Sequence, residues 1–138
     1  MTLAAMAQRA PQSNGETETA GPVLRIDDIV HRYGANIAVA GVSLSIAPGE
    51  VVALVGPSGC GKTTMLRLCA GVETLQEGAI AIAGQTVARP GASLPPEHRG
   101  VGFVFQDFAL FPHLRVIDNV AFGLDRVPSA QRRQRALA

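Results

Sequence analysis

Gly56, Gly59, Gly61, Lys62 and Thr63 stand at the spacing G-x-x-x-x-G-K-T, within the run Gly56-Pro57-Ser58-Gly59-Cys60-Gly61-Lys62-Thr63-Thr64. Glycines at such positions reach backbone angles closed to other residues and keep side chains out of the way. Successive backbone amides can then turn inward around phosphate oxygens. Lys62 brings a point charge on a flexible stem toward β- and γ-phosphates, and the Thr63 hydroxyl offers a ligand to Mg2+. Lys62 is the only lysine, whereas the other eleven basic residues are arginines. The one position spared from arginine is the one where a compact ammonium is needed. A chance match to this pattern is expected on the order of once in a few hundred chains of this length. The flanking sequence lowers that further.

A phosphate loop of this kind has to be delivered by a strand and received by a helix. Val51-Val52-Ala53-Leu54-Val55 is apolar without alternation, which predicts a strand buried on both faces of a parallel sheet. Thr64 to Ala70 predicts a short apolar-rich helix that stops at Gly71, a helix C-cap. Upstream, Val23-Leu24-Arg25-Ile26 alternates, Ile29-Val30 continues, and His31-Arg32-Tyr33-Gly34 is a turn signal. Val42 to Ile46 alternates as well, and Pro48-Gly49-Glu50 turns the chain into the apolar strand. These segments predict half-exposed antiparallel strands that lead into a parallel core.

Downstream, Gly78 and Gly84 bracket a strand over Ala79 to Ile82, and Arg89 to Pro96, with three prolines, predicts an exposed loop. Val101 to Phe105 is a second apolar strand ending at Gln106. Phe108 to Pro112 is an apolar loop, Asp118 to Leu124 a short helix or turn, and Ser129 to Leu137 a helix with Ser129 as N-cap.

The 138 residues fit one domain, and 47% hydrophobic with 17% charged residues supports a packed core. A net charge of +1 gives no general case for nucleic acid or an anionic membrane surface. The Arg132-Arg133-Gln134-Arg135 cluster therefore reads as a solvated helix face. His98 and His113 lack a second ligand at metal-site spacing and read as structural or surface residues. No run of eighteen apolar residues occurs, and the N-terminus has no apolar block of a signal peptide. Cys60 and Cys69 would lie roughly 13 Å apart along a helix, too far to bridge. Two unpaired thiols suit a reducing, cytosolic compartment. Residues 1–22 are rich in small and polar types without a period and read as a disordered leader, leaving 23–138 as the ordered part.

Four features together resemble the ATP-binding subunit of bacterial ABC importers. Tyr33, in H-R-Y-G, precedes Gly56 by 23 positions and looks like the aromatic that stacks on adenine. Gly56 to Thr64 matches the family's phosphate loop in its wording. Gln106, in V-F-Q-D, looks like the glutamine that closes the core sheet and touches Mg2+ and the attacking water. Phe108 to Leu124 resembles the segment that leads into the helical subdomain and faces the membrane subunits. On residues alone, Tyr33 could simply cover a strand end and Gln106 could be a surface amide. The match from Leu94 to Leu124 favours the family roles.

The resemblance implies an α/β P-loop NTPase core with an N-terminal antiparallel β subdomain, here the N-terminal part of such a nucleotide-binding domain. It implies ATP and Mg2+ as cofactors. Gly56, Pro57, Ser58, Gly59, Cys60, Gly61, Lys62, Thr63, Thr64 and Tyr33 would hold nucleotide, Thr63 and Gln106 the metal, and Lys62 and Gln106 would serve catalysis. The parent would be a transport ATPase peripheral to the cytoplasmic face of the inner membrane. Its partners would be a second nucleotide-binding subunit in a homodimer, permease subunits and, indirectly, a substrate-binding protein, with no nucleic acid. Ferric iron leads the cargo ranking, ahead of polyamine and sulfate.

The family's S-G-G-Q signature does not occur in the sequence, nor does an apolar strand ending in Asp-Glu, nor the downstream switch histidine. The sequence therefore reads as truncated before the signature and second acidic motifs. Strand Val51 to Val55 should lack neighbours and expose apolar edge. The fragment should bind nucleotide without family-like turnover. Two other classes compete: a soluble phosphate-loop enzyme such as a small-molecule kinase that uses Asp107 at the metal, and a non-catalytic fragment that occupies a partner's surface.

Overall fold

The computed structural model describes residues 7–9, 21–107, 109–124 and 127–137. They belong to two compact units, Met1–Gly102 and Phe103–Ala138, each described by itself.

The alternating segments of the first unit form its main sheet. Strands β2 (Leu24–Tyr33) and β3 (Asn36–Ile46) make a long hairpin in which Leu24 faces Ile46 and Tyr33 faces Asn36 across a two-residue turn. The turn falls at Gly34–Ala35, so both strands run further than the alternation alone indicates. Strand β5 (Glu77–Ile82) lies antiparallel on the other side of β2, with Ile26 opposite Ile80. The loop expected from Arg89 to Pro96 is instead mostly a second hairpin, β6 (Gln85–Arg89) with β7 (Ala92–Ser93), because Pro90 falls in the turn and Pro95 and Pro96 follow the last pair, which leaves the paired amides free. The order is β3-β2-β5-β6-β7, antiparallel throughout. One face carries the core: Ile26, Ile29, Val39, Val42, Ile80 and Val87 close on Met65, Leu68 and Leu75.

Met65 and Leu68 come from α1 (Lys62–Ala70), which starts two residues before the expected Thr64. The helix ends as the sequence indicates. Gly71 takes a left-handed conformation at φ 82°, its N–H donates to the Leu68 carbonyl and the Val72 N–H to the Arg67 carbonyl. That pair of bonds is the Schellman stop.

Two apolar stretches depart from expectation. Only Val52–Leu54 (β4) is extended, and it pairs antiparallel with β1 (Ala7–Arg9), not parallel with a core strand. Val51 is 75% and Val55 54% exposed. Val101 to Phe105 forms no strand, and Val104 is 94% exposed. A doubly buried parallel strand needs neighbours on both edges and layers on both faces, and no parallel strand pairs with these two stretches among the described residues. The apolar edge expected for Val51 to Val55 is thus exposed. It also explains β1: an unpaired edge is a template for any extended segment. Ala7–Arg9 is the extended part of the segment expected as a disordered leader, of which residues 1–6 and 10–20 lie outside the described ones.

In the second unit, the short helix or turn expected over Asp118 to Leu124 starts two residues earlier, as α2 (Val116–Ala121) followed by a 3-10 turn at Phe122–Leu124. Helix α3 spans Ser129–Leu137 as expected and touches α2. Its cap shifts by one residue: the Pro128 carbonyl accepts from the Gln131 and Arg132 amides, and Ser129 is already helical. Proline at this point already holds the φ a helix start needs.

Candidate functional site

The phosphate loop runs from the end of β4 to the start of α1, and its backbone from Gly56 to Gly59 is exposed. Gly61 occupies the cap position of α1 at φ 101°. A Cβ there would stand 2.0 Å from the Ala38 carbonyl oxygen of β3, so only glycine lets the loop pass this close to the sheet. Cys60 is buried beneath the loop, and a Cβ on Gly56 would stand 2.9 Å from its Sγ.

The amides of Gly61, Lys62, Thr63 and Thr64 have no backbone acceptor among the described residues; the first bond of the helix is from the Met65 N–H to the Gly61 carbonyl, 2.9 Å. Open amides at a helix start carry partial positive charge worth ~0.3 to 1 kcal/mol to a bound anion. Lys62 reaches back over the loop, where Nζ donates to the carbonyls of Gly56 at 2.8 Å and Pro57 at 2.7 Å and lies 3.5 Å from Cys60 Sγ. The half-buried stem carries the ammonium to the loop mouth, and Thr63 next to it is exposed. Open amides, an ammonium and a free hydroxyl are the donor set a Mg2+-polyphosphate requires, and the residues fit that group.

Tyr33 closes β2 and is 45% exposed. Its hydroxyl donates to Glu73 Oε2 at 3.1 Å, and its ring meets His31 edge-on with centroids 4.7 Å apart. Gln106 belongs to the second unit, in an exposed bend before Asp107, and Phe108 lies outside the described residues. The structure thus puts Gly56 through Gly61 in one loop, Lys62 through Thr64 in the first turn of α1, and Tyr33 on the hairpin packed beside that helix.

Nothing in the sequence spacing marks Arg99, yet it organises the far end of α1. Its guanidinium, with the residue only 4% exposed, donates to the carbonyls of Leu68 (2.7 Å), Cys69 (2.9 Å) and Leu94 (2.8 Å) and to Ser93 Oγ (2.7 Å). A cation at a helix C-terminus answers the carbonyls left open there. Burial pulls Arg99 down from its ordinary value, with Cys69 opposing, but a guanidinium stays charged. Burial pushes the Cys69 thiol up to about 11, with Arg99 pulling the other way, so near neutral pH this thiol is protonated and unreactive.

A profile of the ABC transporter family matches residues 39–138, from β3 through the phosphate loop to the end of the chain. The chain belongs to the ABC transporter family. It is 50% identical over 103 residues to the Fe(3+) ions import ATP-binding protein FbpC of Mesorhizobium japonicum, covering 75% of this chain and 29% of that protein. It is 47% identical over 118 residues to the spermidine/putrescine import ATP-binding protein PotA of Rubrobacter xylanophilus, covering 85% of this chain and 30% of that protein. The chain therefore spans less than a third of the length of these ABC relatives. Among solved structures it is similar to a dimeric bacterial ABC transporter cassette, at TM-score 0.69 and 28% identity over 83% of this chain and 54% of that one. It is also similar to a bacterial Atm1-family ABC exporter with ATP bound, at TM-score 0.67 and 33% identity over 83% of this chain and 20% of that one. ABC membership sets aside the soluble small-molecule kinase.

Proposed function

We propose that this chain is the nucleotide-holding portion of an ATP-binding subunit that energises import across a bacterial inner membrane from its cytoplasmic face. The observation that carries the reading is Lys62, whose ammonium lies on the carbonyls of its own loop, among open amides, in a chain matched to the ABC family from β3 onward. Phosphate oxygens would take over the donors that Lys62 now spends on Gly56 and Pro57. The amides from Gly59 to Thr64 would grip the same group, Thr63 would ligate Mg2+, and Tyr33 would stack on adenine. Gln106 would contact the metal and the attacking water. Bound ATP with Mg2+ supplies the γ-phosphoryl group that is transferred to water; the residues here bind and orient it.

Phosphoryl transfer depends on positioned charge and water. The S-G-G-Q and Asp-Glu motifs that the family uses for this do not occur in these 138 residues. The chain alone thus binds MgATP and does not turn it over at a family-like rate. A steady-state phosphate-release assay checks this: release at background is expected, and sustained release that Lys62→Ala abolishes contradicts it.

In the intact assembly a second copy, permease subunits and a substrate-binding protein would complete the transporter. The second unit offers the permease-facing surface. Asn119 fastens its loop, with Oδ1 accepting the Phe111 N–H at 2.8 Å and Nδ2 donating to the carbonyls of Phe111, Leu114 and Arg115, each at 3.2 Å. Leu110, Val116, Val120 and Phe122 are left exposed around it. No helix among the described residues is long and apolar enough to cross a membrane, which suits a peripheral subunit. We assign ferric iron as first cargo, with polyamine next, on the FbpC and PotA likenesses; selection would rest with the partners.

A further inference from the structure

We propose that Glu73 and Gln76 are positioning residues for the base of the nucleotide, holding Tyr33 at a fixed reach from the phosphate loop. The inference rests on Tyr33 as the adenine-stacking residue and adds the device that places it. Tyr33 sits at the last pair of a two-residue hairpin, a location that frays on its own. The β2–β5 ladder ends at Val30 opposite Glu77. Beyond that point side chains take over. Gln76 extends the ladder to Arg32, with Oε1 accepting the Arg32 N–H at 2.7 Å and Nε2 donating to the Arg32 carbonyl at 2.9 Å. The Arg32 guanidinium pairs with Glu77.

Glu73 divides its two oxygens. Oε2 accepts the Tyr33 hydroxyl at 3.1 Å, while Oε1 lies 3.9 Å from His31 Nε2. His31 is 3% exposed, neither ring nitrogen has a hydrogen-bond partner among the described residues, and its ring abuts Tyr33. A buried imidazole left unsatisfied beside a tyrosine is costly, and it is tolerated here where it walls one side of the ring. The clamp is anchored, because Leu75 between Glu73 and Gln76 is buried in the core and Glu73 follows the Gly71 stop of α1 by two residues. At the other end of α1, Gly61 packs against Ala38 of the same hairpin. The hairpin that carries Tyr33 is thus tied to both ends of the helix that opens at the phosphate loop. Preorganising an aromatic in this way removes an ordering cost from base stacking.

Tyr33 is the only tyrosine and the chain has no tryptophan, so tyrosine fluorescence reads this ring alone. Titrating the 138-residue chain with MgATP and with magnesium tripolyphosphate separates base from phosphate binding. MgATP should change the fluorescence and tripolyphosphate should not. By calorimetry, Tyr33→Ala should lose at least about fivefold in ATP affinity. Glu73→Ala, Gln76→Ala and Tyr33→Phe should each lose about three- to tenfold, with tripolyphosphate affinity kept within about twofold. Tyr33→Phe keeps the ring and deletes only the hydroxyl, so it tests the clamp even where a Glu73 variant fails to fold. Loss with Tyr33→Ala, but unchanged or tighter ATP binding with Tyr33→Phe and Gln76→Ala, overturns the clamp and leaves stacking intact. Unchanged ATP affinity in Tyr33→Ala, or no fluorescence response to MgATP in the unaltered chain, overturns stacking and the clamp together.

Discussion

Gly61→Ala is expected to destabilise the first unit by at least about 3 kcal/mol, whereas Gly59→Ala costs only about 1 kcal/mol. Both glycines have positive φ, 101° at Gly61 and 77° at Gly59, so both substitutions pay backbone strain. They differ in what the new methyl group meets. At Gly59 nothing lies within 4 Å, while at Gly61 the Ala38 carbonyl oxygen would be 2.0 Å away. That neighbour is backbone within β3 of the five-stranded sheet, and cannot rotate aside as a side chain would. Relief requires α1 to lift from the sheet, which uncovers Met65 and Leu68, both buried in the core. Urea midpoints of the two variants give the comparison. Equal losses at Gly61 and Gly59 would mean that the close approach of loop to sheet is not a constraint.

Arg99→Ala is expected to cost about 3 kcal/mol or more, a fall of order 10 to 20 °C in the thermal midpoint. The guanidinium serves three carbonyls and a hydroxyl at once, and the Leu68 bond is fully buried. Deleting it strands acceptors that water does not reach and takes away the guanidinium that bonds the last carbonyls of α1. Arg99→Lys should recover less than half of the loss, because an ammonium cannot span the fork from Ser93 to Cys69. Nucleotide affinity should fall together with stability in Arg99→Ala, since the far end of the helix holding Lys62 is what comes loose. A thermal midpoint unchanged in Arg99→Ala contradicts this account of the helix end.

The loop motif was legible because its demands are local. The motif names Gly61, Lys62 and Thr63 by what a phosphate would require of backbone and side chain within nine residues, and Gly71 is fixed by the geometry of a helix end. The antiparallel strands were legible for the same reason, since alternation from Val23 and Val42 reports one buried face. The unalternating stretches misled. Val51 to Val55 and Val101 to Phe105 carry the composition of doubly buried strands, but composition states what a segment needs and not whether a neighbour is at hand. Without parallel partners among the described residues, β4 pairs with Ala7–Arg9 and the second stretch stays unpaired. The long-range polar contacts were not legible at all. Arg99 meets Leu68 across 31 positions and Glu73 meets Tyr33 across 40, and no periodicity encodes a side-chain bond between separate elements. Gln106 is a further case: its proposed role rests on the family resemblance, not on any pattern in the chain.

We propose that this chain grips the phosphates of MgATP through the loop between β4 and α1, with Lys62 as its charge. Isothermal titration of MgATP into the 138-residue chain and its Lys62→Ala variant tests it most directly. Saturable one-site binding is expected, weakened at least about tenfold in the variant, equivalent to about 1.4 kcal/mol, with the urea midpoint nearly unchanged. Equal affinity in the two proteins, or no binding by the unaltered chain at millimolar MgATP, would contradict it.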